Sequence, residues 1–181
     1  ISCSLVGSEM CIRDRLLTGE LAAEQMLGAD EFGVYSFTKH FALNEQENER
    51  NGQLCTLYNE QAIREFYLKP FETIVKADGD AQAMMGSYNY IGNTYASAHE
   101  GLNETVLRGE WGFRGFLETD YFSGPNYSYQ TADQVIRAGT DAMLSTTDTT
   151  NHVEDRSATS VIEMRRAAHN ILYSVVNSNA M

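Results

Sequence analysis

Residues 112–121 read GFRGFLETDY, and this stretch decides the fold class. Gly112 and Gly115 punctuate the approach, and Phe116-Leu117 form the short apolar run of a buried strand. Ser123-Gly124-Pro125-Asn126 then break the chain into a loop. Asp120 therefore stands where a strand ends and a loop begins, the position at which α/β proteins collect reactive side chains. An isolated aspartate there can equally cap a helix or tie down its own loop, so its neighbours have to decide.

Working outward, the chain alternates helix and strand signals. Thr18 to Ala29 is rich in helix formers, and Val34 to Phe41 (VYSFTKHF) has the β-branched and aromatic content of a strand. Asn59 to Ala77 predicts a helix facing inward through Ile63, Phe66, Phe71 and Ile74, kinked or divided at Pro70. Gln82 to Tyr90 predicts a second strand, Ala98 to Gly109 a helix, and Phe113 to Tyr121 the third strand. Thr131 to Arg137 predicts a short helix and Thr140 to Leu144 a short fourth strand. Val161, Met164, Ala168, Ile171 and Val175 recur at helical spacing and predict an amphipathic closing helix. Crossovers of this length imply parallel strands. Four strands are too few for a closed eight-stranded barrel, so the expectation is a small open sheet or part of something larger.

Composition narrows the function. The chain has 181 residues and a formal charge of −12, with no basic stripe to offset it, which argues against a nucleic-acid partner. No apolar run approaches the length of a membrane span. Cys3, Cys11 and Cys55 have neither metal-type spacing nor an even count, no second ligand accompanies His152, and no phosphate-cradling loop or serine elbow is present. No cofactor and no metal are expected. The first fifteen residues, ISCSLVGSEMCIRDR, lack any helix or strand period and resemble a translated sequencing adaptor. They are expected to be a non-native leader without regular structure, with residues 16–181 as the domain. Nothing in them has the form of a secretory signal, and the localisation is unknown.

Lys39-His40, Tyr88-Asn89 and Asp120-Tyr121 close three successive predicted strands. In a parallel sheet these ends share one rim, so a cation, an imidazole, a phenol and a carboxylate converge. Such a set suits a polyhydroxylated ligand; it would also serve as an ion-pair network steadying the rim. Glu118 lies two residues before Asp120 on the same strand face and is the rival carboxylate. His99 and His169 are expected to be surface or packing residues, Trp111 a packing anchor, and Glu45, Glu47 and Glu49 mainly loop charge.

KHFALNEQENER (39–50), MGSYNYIGN (85–93) and LRGEWGFRGFLETDYF (107–122), in this order, resemble successive signatures of glycoside hydrolase family 3. MRRAAHNILYSVVNSNAM (164–181) resembles the end of that family's barrel domain. The resemblance implies the later strand–helix units of a (β/α)8 barrel of the TIM type, and a retaining glycosidase acting on β-glucosides or β-xylosides. Position by position it makes Asp120 the nucleophile and Lys39, His40, Arg50, Met85 and Tyr88 the lining of the sugar subsite. Tyr121 stands where the family commonly has tryptophan, which leaves an aromatic platform of altered shape. The family's earlier barrel strands and its α/β sandwich domain, source of the acid/base, have no counterpart here and are the expected partners of this fragment. Retaining hydrolysis needs two carboxyl groups about 5 Å apart, so the isolated chain is expected to be inactive. Two alternatives are a non-catalytic carbohydrate-binding or scaffold half-barrel and, within the enzymes, a β-N-acetylhexosaminidase. The latter group carries an Asp-His pair after the Lys-His-Phe strand, and ALNEQENER has none.

Overall fold

A computed structural model describes residues 12–34, 36–51, 54–78, 83–121, 129–145 and 152–179. Helix α1 (Ile12–Asp30) leads into strand β1 (Phe37–Phe41). Strand β2 (Cys55–Thr56) precedes helix α2 (Glu60–Ala62), which Asn59 caps by accepting a hydrogen bond from Ala62 N. The helix widens into π-type turns (Ile63–Tyr67), breaks at Leu68, and resumes as α3 (Lys69–Asp78). The division expected from Pro70 is therefore present two residues earlier: proline occupies the second position of the new helix, where its missing N–H has no partner to lose. Strands β3 (Ala83–Gly86), β4 (Tyr90–Ile91) and β5 (Thr94–Tyr95) follow, then a wide helix (Gly101–Glu110) and strand β6 (Phe116–Glu118). Helices α4 (Ala132–Arg137) and α5 (Ala158–Val176) complete the order.

The main sheet runs β1-β3-β6, all parallel, and Ala142 extends it by a parallel bridge to Glu118. The expected order of four parallel neighbours is thus present, but the fourth is a single bridge rather than a strand over 140–144. The reason lies in its side chains. Asp141 N and Ala142 N donate to Leu117 O and Thr119 N donates to Ala142 O, but on either side the bonds go through side chains: Thr140 Oγ1 donates to Ser97 O, and Leu144 N donates to Thr119 Oγ1. Phe41, Met84, Leu117 and Leu107 are fully enclosed and form the core with Leu68, Ile74, Val75 and Trp111. Trp111 meets Phe41 edge to face at 6.0 Å, the packing role expected of it.

Two expectations change. First, the helix starts at Ile12, inside the segment set aside, and Arg15 donates to Glu65 O while lying over the Phe66 ring at 4.4 Å. The absence of regular structure expected for residues 1–15 fails for 12–15, because the lack of apolar period did not prevent Arg15 from docking its guanidinium; residues 1–11 lie outside the described residues. α1 packs against α3 at Gly19, where a Cβ would stand 2.9 Å from Thr73 Cβ and 3.2 Å from Pro70 Cα. Second, α5 buries Ser160, Ala167, Asn170 and Ser174, while Val161, Ile162, Leu172 and Val176 are exposed. The face turned to the sheet is small and polar because Asn170 donates to the buried Asp141 at 3.0 Å. Of the five positions singled out by apolar spacing, Met164, Ile171 and Val175 are half-buried and Val161 and Ala168 are exposed, so that spacing marks a flank of the buried face rather than its centre.

Candidate active site

The site is built at the carboxyl end of the parallel strands. The pairing of β1 with β3 shifts between Thr38 and Phe41, which re-aims the two residues in between, Lys39 and His40. The peptide bonds Lys39–His40 and Phe41–Ala42 are cis. The outgoing backbone is gripped from β3's end: Ser87 N donates to Phe41 O at 2.8 Å, and Ser87 Oγ and Asn89 Nδ2 both donate to Ala42 O. These grips are buried, so they hold the Lys39-His40 segment firmly against its neighbour.

Asp120 follows β6 by two residues, as the strand-to-loop reading expected. Its Oδ2 is 3.3 Å from His40 Nε2, and its Oδ1 accepts from Tyr121 N at 2.7 Å. Arg50 reaches in from the segment after β1, with its Cζ 4.6 Å from the Tyr88 ring centre. Tyr88 Oη donates to Tyr121 O at 2.9 Å. Met85 is buried in β3 opposite Glu118 in register. Tyr121 and Lys39 are both exposed. Lys39, His40, Arg50, Tyr88 and Asp120 thus belong to one cluster, tied by contact or by the field each exerts on His40.

Burial lowers the His40 pKa below its ordinary value; the Asp120 carboxylate pulls it back up, and Lys39 and Arg50 push it down again. His40 is therefore neutral at pH 7, and its approach to Asp120 is a polar contact to a neutral imidazole rather than a salt bridge. Burial also raises the Glu118 pKa, Asp120 raises it further, and Lys39 lowers it. Two carboxylates on one strand face thus have distinct settings: Asp120 touches His40 at the rim, and Glu118 sits deeper and favours its protonated form.

Glu47 is an exposed loop charge, as read from sequence, and the structure adds its partners. It accepts from Arg50 Nη1 and from Asn44 Nδ2, both at 2.8 Å. The small sheet β2-β4-β5, which carries the segment beyond Arg50 alongside that beyond Tyr88, was also unforeseen. A signal for it exists: Gly92-Asn93 between Ile91 and Thr94 is a two-residue hairpin turn, and Gly92 has the positive φ of 61° such a turn needs at its first position. Among the described residues, no cluster of three or more His, Cys, Asp or Glu side chains is placed to hold a metal ion. No helix there is long and apolar enough to cross a membrane.

With this geometry in place, comparisons with known proteins are informative. Residues 4–173 match the family described as glycosyl hydrolase family 3 N terminal domain. Probable beta-glucosidase K of Emericella nidulans is 38% identical over 135 residues, covering 75% of this chain and 15% of that protein. A beta-glucosidase of Ruminococcus albus is 31% identical over 179 residues, covering 93% and 19% respectively. The structure of beta-glucosidase 3B from Thermotoga neapolitana in complex with glucose superposes with a TM-score of 0.77 at 31% identity, over 92% of this chain and 24% of that one. The chain thus spans a quarter or less of the length of these relatives.

Proposed function

The chain belongs to glycosyl hydrolase family 3, and on that premise we propose that it is part of a retaining glycosidase cleaving terminal β-linked glucosides or xylosides. The parallel β1-β3-β6 sheet is then the later portion of a (β/α)8 barrel, and the rim at the ends of its strands is the sugar site. The observation that carries this reading is the contact of His40 Nε2 with Asp120 Oδ2 at 3.3 Å, beside an Arg50 guanidinium fixed on the Tyr88 ring.

Asp120 is the nucleophile. Its Oδ1 is oriented by Tyr121 N and its Oδ2 lies 3.3 Å from His40 Nε2, and in this reading the anomeric carbon of a bound sugar lies against that carboxylate. Attack forms a glycosyl ester on Asp120 as the leaving-group oxygen departs with a proton, and water then hydrolyses that ester with net retention. Lys39, neutral His40 and Arg50 bind sugar hydroxyls, and contacts that strengthen as oxocarbenium character develops lower the barrier rather than only improving binding. Met85 and Tyr88 line the floor, and exposed Tyr121 offers an aromatic face at the mouth. The proton for the leaving group comes from a carboxyl group outside this chain, on the sandwich domain of the parent protein.

Two linked measurements test this. The 181-residue chain alone hydrolyses aryl β-glucosides negligibly, whereas the full-length protein carrying this segment is active with retained configuration. In that protein, Asp120→Asn removes nearly all turnover, since an amide cannot act as the anionic nucleophile. Near-normal turnover by Asp120→Asn would pass the role to Glu118.

A further inference from the structure

Three phenols outside the sugar-binding set pack together beside Tyr88. Tyr90, Tyr95 and Tyr129 pack as one cluster, with Tyr129 ring centres 5.2 Å from Tyr90 and 5.5 Å from Tyr95. Two of their hydroxyls bond to backbone. Tyr129 Oη donates to Tyr88 O at 2.9 Å, and Tyr95 Oη accepts from Thr131 N at 3.1 Å. Tyr88 is the node between Tyr121 and Tyr129. Its hydroxyl takes hold of Tyr121 O, just after Asp120, and its carbonyl is held by Tyr129, where the chain returns. Tyr121 in turn orients Asp120, because its N–H donates to Asp120 Oδ1 at 2.7 Å. A continuous chain of hydrogen bonds therefore runs from Tyr129 through Tyr88 and Tyr121 to the carboxylate.

We propose that Tyr129 is a positioning residue for Asp120: its hydroxyl fixes the Tyr88 backbone, and so the Tyr88–Tyr121 contact that sets the carboxylate's orientation. This rests on the reading of Asp120 as nucleophile. Tyr129 does not touch the sugar; it acts on geometry at the attacking oxygen. Misalignment of an attacking group lowers the rate of the bond-forming step with little effect on ground-state binding.

The test uses the full-length protein and an aryl β-glucoside for which the glycosyl ester forms more slowly than it is hydrolysed, so that kcat reads bond formation to Asp120. Tyr129→Phe keeps the ring and removes only the donor, and kcat falls by roughly three- to tenfold, the scale of one hydrogen bond, while KM stays within about twofold. Tyr90→Phe is the control, because its ring belongs to the same cluster and its hydroxyl forms no hydrogen bond among the described residues; it leaves both constants unchanged. If Tyr129→Phe does not fold, Tyr95→Phe, which releases Thr131 at the same return of the chain, must show the same loss confined to kcat. An unchanged kcat in Tyr129→Phe, an effect confined to KM, or an equal loss in Tyr90→Phe overturns the proposal. Asp120→Asn separates the two levels: inactive Asp120→Asn beside unaffected Tyr129→Phe refutes only the positioning role, whereas active Asp120→Asn refutes the site.

Discussion

The two ends of the same parallel strands are built from similar residues and put them to opposite uses. Where β6 and the segment at Thr140 begin, Asp141 accepts from Leu117 N at 2.9 Å, from Asn170 Nδ2 at 3.0 Å and from Arg108 Nη2 at 2.5 Å. Arg108 also donates to Gly115 O and Gly139 O, just before the two segments enter the sheet. Where the strands finish, His40, Asp120, Arg50 and Tyr88 gather with fewer mutual bonds. The side chain of Asp141 is 0% exposed and that of Arg108 11%, against 16% for Asp120 and 34% for His40. A carboxylate enclosed by donors clamps a fold, and one with fewer donors and some exposure can meet a ligand. Catalytic groups at the carboxyl ends and stabilising groups at the amino ends are the division expected of parallel α/β sheets.

Breaking the lower end should produce the largest stability change. Asp141→Ala leaves the Arg108 guanidinium buried without its partner, and stability falls by about 3–5 kcal/mol in denaturant unfolding of the full-length protein. Replacing Arg108 and Asp141 together by Met and Leu restores much of that loss, since the uncompensated charge goes with its partner. KM of the folded fraction stays unchanged in both, because the proposed sugar site is at the other end. A shifted KM would show that the two ends are not separable.

A smaller effect is expected between the ends, at Glu118. Its pKa in the folded protein is raised, chiefly by burial, so it binds its proton more tightly there than in the unfolded chain. Its contribution is present below the ordinary carboxylate value and is lost as pH rises through the raised one. Glu118→Gln therefore raises the melting temperature at pH 7, and the gain shrinks towards pH 4. A gain that grows on acidification would place Glu118 in an ion pair instead, and would bring it into the rim's charge network.

The sequence made the upper end legible and the lower end almost invisible. Lys39, His40, Tyr88 and Asp120 stand at the ends of predicted strands, and helix–strand alternation, which implies parallel strands, put those ends on one rim. The lower network joins Arg108, Asp141, Arg166 and Asn170 across three separate elements, and no local period marks residues paired at such separation. The same network explains why the buried face of α5 is offset from its apolar stripe: Ser160, Ala167, Asn170 and Ser174 are buried, with Met164, Ile171 and Val175 half-buried. Strand limits were overextended for a related reason. Phe113 to Gly115 have strand-like composition, but Gly112 at φ 80° and the Arg108 bond to Gly115 O turn the chain before pairing begins at Phe116. Two-residue strands such as β2 and β4 are too short to show a period at all, which left the turn residues Gly92-Asn93 as their only trace.

The claim on which the account depends is that Asp120, and no other carboxylate of the rim, bonds to the sugar. Full-length protein treated with an activated 2-deoxy-2-fluoroglucoside, whose glycosyl ester hydrolyses slowly, can be digested and the labelled peptide located by mass spectrometry. The account predicts one added fluoroglucosyl group per chain, on Asp120 within GFLETDY, and none in Asp120→Asn. A label on Glu118 or on any residue outside residues 112–121 would contradict it.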